Sequence, residues 1–135
     1  MKNSAIVLAL ASVLCGCATN TLSTKDQEYL VATGYGAYPE NYQQIIKDYC
    51  SQFLKDPYSA QYTFSIPSAD YVRKGLIFGG AIEAAGWRVN VGLNAKNSFG
   101  GYVGETQYAF FIRDGKVIRV FESVNGKWWP ADGLR

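Results

Sequence analysis

The feature that most constrains the fold is an apolar stripe between positions 42 and 54. Its members are Tyr42, Ile45, Ile46, Tyr49, Cys50, Phe53 and Leu54. They recur every three or four positions, as one face of an α-helix requires. Pro39 and Glu40 favour a first helical turn, and Asp56 would end the helix because it precedes Pro57. We therefore predict an amphipathic helix over residues 39–55 that buries this stripe.

The chain after this helix carries the signals of β-strands. The predicted strands are 60–66, 87–93, 106–113 and 116–123, with a further candidate at 71–78. Asp114-Gly115 favours a two-residue hairpin turn, Asn125-Gly126 offers a second tight turn, and residues 79–86 resemble a flexible connection. A helix followed by consecutive strands predicts an α+β fold, with one amphipathic helix packed on an antiparallel sheet of about four strands.

The Asp-Gly hairpin is apolar on both faces. A two-residue turn would place Ile112 opposite Val117 and Tyr108 opposite Phe121. The other face would carry Phe111, Ile118 and Val120. Each face therefore needs a cover. We expect the helix to cover one face, and either the C-terminal tail with its two tryptophans or a partner molecule to cover the other.

The N-terminus has the organisation of a bacterial export signal. Lys2 precedes an apolar run over residues 5–14, which is too short to span a bilayer. The run ends in Leu14-Cys15-Gly16-Cys17, which resembles the lipoprotein signal of bacteria. The resemblance implies cleavage before Cys17 and a diacylglycerol on its sulfur. An ordinary secretory signal with incidental cysteines is the alternative.

This resemblance also implies a location and a domain organisation. Ala18, which is not an aspartate, implies passage to the outer membrane of a Gram-negative cell, where several acyl chains would give a stable anchor. We expect a signal peptide at 1–16, a lipidated N-terminus and tether at 17–37, and one α+β domain at 38–135. Within the tether, a short helix around residues 24–31 is compatible with Thr24 as its cap.

Composition excludes several classes of function. The chain has no His, which removes His-based triads, His-ligated metals and imidazole acid–base steps. Without the signal peptide it carries 12 basic and 11 acidic residues, so no nucleic-acid partner is expected. Cys50 would be the only thiol left beside Cys17; its place in the apolar stripe favours a buried structural role over a reactive or intermolecular one. The carboxylates are scattered, and we expect no catalytic residue, no metal and no cofactor.

Two short motifs stand out in the remaining sequence. They are Leu-Lys-Asp-Pro-Tyr-Ser-Ala at 54–60 and Asn-Ala-Lys-Asn-Ser-Phe-Gly-Gly-Tyr-Val-Gly at 94–104. Both resemble segments of small lipoproteins from Gram-negative bacteria and their mobile elements, and the similarity covers residues 39–113. The second motif is rich in side chains that could receive a carboxylate, phosphate or sugar: Asn94, Lys96, Asn97, Ser98 and Tyr102. In the alternative interpretation, the asparagines bond their own backbone and the glycines permit a wide turn.

These observations lead to a functional hypothesis with alternatives. We expect a non-enzymatic lipoprotein of the outer membrane, anchored through Cys17, that binds or helps to assemble another envelope component, most simply a protein. In the first alternative it binds peptidoglycan or a small ligand through residues 94–104, with Trp128 or Trp129 as a platform for sugars. In the second it is an envelope hydrolase or an inhibitor of one.

Overall fold

The computed structural model describes residues 22–75, 80–131 and 133–134. These residues form two helices and six strands, namely α1 (Thr24–Thr33), α2 (Tyr42–Ser51), β1 (Gln61–Phe64), β2 (Ser68–Arg73), β3 (Ile82–Asn94), β4 (Thr106–Arg113), β5 (Lys116–Val124) and β6 (Lys127–Pro130). A short 3₁₀ turn, Pro57–Ser59, lies between α2 and β1. The predicted signal peptide and the predicted lipidation site at Cys17 lie outside the described residues.

All strand pairs in the sheet are antiparallel. The order is β1-β3-β4-β5-β6, and β2 pairs with β3 beside β1. The α+β class is confirmed, but the expectation of about four strands was wrong, because the sheet has six. The two additional strands are β2, which corresponds to the further candidate, and β6, which pairs with β5 after the Asn125-Gly126 turn. The strand β3 is also longer than predicted, since it takes in most of the stretch predicted as a flexible connection. The candidate strand at 71–78 begins earlier, at Ser68, and part of it lies outside the described residues.

The helix α2 is shorter than predicted at both ends. Asn41 is its N-cap, and the predicted first turn around Pro39 is a separate turn in which the Pro39 carbonyl accepts from the Tyr42 amide. The last turn is closed at the Cys50 carbonyl, which accepts from the amides of Phe53 and Leu54. The apolar stripe of α2 still packs against the sheet, as predicted.

The Asp-Gly turn forms as predicted, but the hairpin register differs from the prediction. Asp114 and Gly115 both have positive φ, as a two-residue hairpin turn requires, and Ile112 lies opposite Val117. A bulge then shifts the pairing by one residue, so that Phe121 lies opposite Ala109 and not opposite Tyr108. A shift of one residue moves the following side chains to the other face. Val120 therefore joins the core, which corrects the predicted face.

The core lies between α2 and one face of the sheet, which we call the covered face. Its buried residues are Ile46, Cys50, Val89, Val91, Leu93, Tyr108, Phe110, Ile112 and Val120. Cys50 is free and fully buried, as predicted for a structural thiol. Burial raises the pKa of this thiol to about 12, which keeps it in the unreactive protonated form.

The segment before α2 makes specific contacts with the sheet. Ser23, rather than Thr24, caps α1, and Asp26 forms an ion pair of 2.9 Å with Arg73 of β2. The Arg73 guanidinium, helped by the Ser23 hydroxyl, lowers the pKa of Asp26. Further along, the Trp87 indole donates to the Gly36 carbonyl at 3.0 Å. Within the range predicted as a tether, residues 22–37 thus include a helix that is held against the sheet.

Candidate functional site

The two sequence motifs meet at one end of the sheet. The Tyr102 hydroxyl donates to the Ser59 carbonyl at 2.8 Å, and the Lys55 ammonium donates to the Ser98 hydroxyl. These bonds join the loop between β3 and β4 to the 3₁₀ turn before β1. In sequence the bonded residues are 43 positions apart, so only the fold brings the two motifs together.

The asparagines of the loop hold the loop itself. The Asn97 side-chain oxygen accepts from the amides of Phe99 and Gly101, and the Asn94 side-chain oxygen accepts from the amide of Gly104. Gly100 has a φ of +80°, which an L side chain rarely adopts, so the turn requires glycine there. These contacts are those of the alternative interpretation, in which the polar groups build the loop.

The two segments present four large aromatic or apolar side chains to solvent, beside exposed polar ones. Tyr58 is fully exposed and Phe99 is 97% exposed, and Tyr102 and Val103 are also exposed. We call these four residues the loop patch. Lys96 pairs with Tyr102 across an isolated bridge and places its ammonium 5.4 Å from the centre of the Tyr102 ring. Exposed apolar residues that cluster on a surface mark a contact site more often than scattered ones do.

The two tryptophans are not part of this cluster. They lie on β6, at the edge of the sheet opposite β1, where Trp128 pairs with Ser123 and Trp129 with Glu122. Since neighbouring residues of a strand point to opposite faces, the two indoles lie on different sides of the sheet. Two strand spacings, or about 10 Å, separate β6 from β4, where the loop ends. The structure places the Trp128 ring centre 5.2 Å from the Arg88 guanidinium, on the sheet face away from the core.

The sheet face away from the core bears a groove that the sequence did not predict. Its floor includes Phe111 and Phe121, whose ring centres are 5.7 Å apart. Arg88 and Arg119 lie opposite Phe111 on the two neighbouring strands, and they pair with Asp70 and Glu83 respectively. Strand residues and Gly75 line this groove of about 610 Å³; neither helix contributes a lining residue. The tail pairs as β6 at the edge of the sheet, and its Trp128 and Pro130 line the groove, so the tail covers part of this face, as one of the two expected covers.

A second groove runs between α2 and β1, and we call it the helix groove. Its volume is about 790 Å³, and one side is the solvent-facing stripe of α2 that contains Gln44, Lys47 and Asp48. The other side carries Tyr62 and Phe64, whose rings are 5.6 Å apart with an angle of only 6° between their planes. The spacing of the polar residues identifies a solvated helix face, but only the fold shows what lies beside it.

Tyr58 lines the helix groove and is also a member of the loop patch. The Lys47 ammonium lies 5.8 Å from the Tyr62 ring centre and 6.0 Å from that of Phe64. Gln44 donates to the Asp48 carboxylate at 2.7 Å. Desolvation raises the pKa of Tyr62, whose hydroxyl contacts Cys50, so this ring is anchored in the core.

In the part of the chain that the structure describes, no group of Cys, Asp or Glu side chains is arranged to hold a metal ion. No described helix is both long and apolar enough to cross a membrane. Comparisons with protein-family models, with curated proteins and with solved structures found no match.

Proposed function

We propose that this protein is a non-enzymatic lipoprotein of the Gram-negative outer membrane that binds another envelope protein through the loop patch. The motif Leu14-Cys15-Gly16-Cys17, which resembles the lipoprotein signal of bacteria, supports the location and the lipid anchor. The observation that carries the binding role is the loop patch itself. Its aromatic residues are exposed, although the segments that bear them are fixed by side-chain hydrogen bonds.

Fixed segments favour tight binding because little conformational freedom is lost when a partner docks. The asparagines and Tyr102 restrain the loop before any partner arrives, and Phe99 projects from it. Aromatic residues are enriched among those that dominate the energy of protein interfaces. Phe99 and Tyr58 are therefore the side chains on which binding should depend most.

Site-specific photocrosslinking in the native cell envelope tests this proposal. A photoreactive phenylalanine analogue at position 99 should form a discrete adduct with one protein. The matched control is the same analogue at position 31, since Val31 is highly exposed on α1 but distant in sequence from both motifs. Equal labelling from both positions, or no adduct from position 99, would contradict the proposed contact.

The anchor is tested separately with Cys17→Ser. This substitution should abolish incorporation of radiolabelled palmitate and release the protein from the membrane fraction. Cys50→Ser is the control, because a buried thiol has no part in lipid attachment. Unchanged incorporation in Cys17→Ser would remove the basis for the proposed location without affecting the loop patch.

A further inference from the structure

The helix groove combines two kinds of surface that a carbohydrate uses at once. A pyranose ring has faces rich in C–H groups and a rim of hydroxyl groups. The C–H faces need an aromatic surface, and the hydroxyl rim needs side chains that donate and accept hydrogen bonds in fixed directions. Tyr62, Phe64 and the fully exposed Tyr58 supply the aromatic surface, while polar residues of α2 supply the hydrogen-bonding groups.

The polar side of the groove offers groups that can bond a ligand. Gln44 donates to Asp48, which leaves the second N–H and the oxygen of the Gln44 amide and the other carboxylate oxygen available. Lys47, on the same helix, places its ammonium within about 6 Å of both aromatic ring centres. An ammonium in that place can meet an ether oxygen, a hydroxyl or the carboxylate of an acidic sugar. The groove volume of about 790 Å³ is in the range of ligand sites.

We propose that the helix groove binds a stretch of glycan, with Tyr58 stacking on one sugar ring and Asp48, Gln44 and Lys47 bonding the hydroxyl rim. This site is distinct from residues 94–104, where the asparagine oxygens already hold the loop. It is also distinct from the two tryptophans, which lie at the far edge of the sheet. The protein would then have two binding partners, a glycan in the helix groove and a protein at the loop patch. Only the relevance of the glycan site to the cell wall rests on the proposed location.

The probe for the test is chitotriose, a soluble trimer of β-linked N-acetylglucosamine. Titration into the ¹⁵N-labelled full-length protein, followed by NMR, should shift the side-chain amide of Gln44 and the backbone amides of α2 in a saturable way. Tyr58→Ala should weaken binding about fivefold or more, the usual effect of losing an aromatic stacking partner. Asp48→Ala should weaken it to a similar extent.

Phe99→Ala is the matched control, because Phe99 is equally exposed and aromatic but does not line the groove. It should leave chitotriose binding unchanged while it reduces the proposed protein contact. Tyr58 and Asp48 are exposed, so their variants should fold normally, and the NMR spectrum verifies this directly. Sedimentation with purified peptidoglycan, compared among the same variants, shows whether the long polymer uses the same groove.

Two results would overturn the proposal. One is a spectrum that chitotriose leaves unchanged up to its solubility limit. The other is binding that Phe99→Ala weakens and Tyr58→Ala and Asp48→Ala do not, which would move the glycan to the loop. Neither result bears on the photocrosslink from position 99, so the glycan site and the protein contact fail independently.

Discussion

The two faces of the sheet bury their phenylalanines in different ways. On the covered face, Phe110 is fully buried beneath α2 together with Ile46 and Cys50. On the other face, Phe111 is also buried, yet strand residues line the groove around it. The residues opposite Phe111 on both neighbouring strands are arginines, Arg88 and Arg119.

A sheet can therefore shield an apolar face with its own long side chains. An arginine can lay its aliphatic stem along apolar surface while its charged head reaches solvent or a carboxylate. Asp70 and Glu83 hold the two guanidinium groups at such positions. A helix gives a dense, permanent cover, whereas paired side chains give one that can be rearranged, and stability measurements should separate the two.

The largest expected effect is the loss of Phe110 on the covered face. Phe110→Ala should lower the free energy of unfolding by about 3–5 kcal/mol, because it leaves a cavity under α2 that cannot collapse fully. Phe121→Ala, on the half-buried floor of the other groove, should cost only about 1–2 kcal/mol. Urea denaturation of both variants measures the contrast. Equal losses would mean that the second face is packed as tightly as the first.

The pH dependence of stability probes the covered face through Cys50. Folding raises the pKa of its thiol from the ordinary 9.0 to about 12. Between these values the unfolded chain loses its proton and the folded chain keeps it, so stability falls as pH rises above 9, by at most about 1.4 kcal/mol per pH unit from this group. Cys50→Ala should show a shallower decline between pH 9 and 11 in denaturation series. Identical slopes would show that the thiol is solvated in the folded state.

The arginine cover predicts a smaller effect on stability and a clear effect on surface chemistry. Arg88→Ala with Arg119→Ala should expose Phe111 and increase binding of an apolar fluorescent dye to the folded protein, with a loss of about 1 kcal/mol. Lys116→Ala with Lys127→Ala is the control, since it removes two exposed charges at hairpin turns. If dye binding rises equally in both double variants, the arginines do not form the cover.

The smallest effect is expected for the ion pairs themselves. Glu83→Gln keeps the shape of the side chain and removes the negative charge that pairs with Arg119. Because the pair is partly exposed, the free energy of unfolding should change by less than about 1 kcal/mol, and added salt should reduce the difference further. If thermal denaturation shows a larger loss of stability that added salt does not reduce, this ion pair contributes strongly to the stability of that face.

The sequence predicted those elements whose signals are local. The stripe from Tyr42 to Leu54 predicted α2, and Asp114-Gly115 predicted the β4–β5 turn, because helical periodicity and positive φ depend on neighbouring residues. It missed the length of β3, where Ala84, Ala85 and Gly86 have little strand propensity. There β2 supplies the pairing that holds the strand, whereas pairing with β4 begins only at Trp87.

For the candidate site too, local sequence signals predicted some features and only the fold showed the others. Residues 94–104 were identified from their own composition, and the loop they form does lie at the surface. The grouping with Trp128 and Trp129 had no local basis, since it required knowledge of strand order. Tyr58, which borders both the loop patch and the helix groove, carries no local signal beyond its position before a strand.

Local sequence signals were enough to predict the α+β class, the burial of Cys50 and the position of the hairpin turn. Which side chains share a surface followed only from the tertiary structure. One bulge in β5 reassigns Val120 to the core and Phe121 to the other face, and strand order places the tryptophans at the edge opposite β1. The physical reason is that backbone preferences act over a few residues, whereas register and strand order follow from contacts between segments that are distant in sequence.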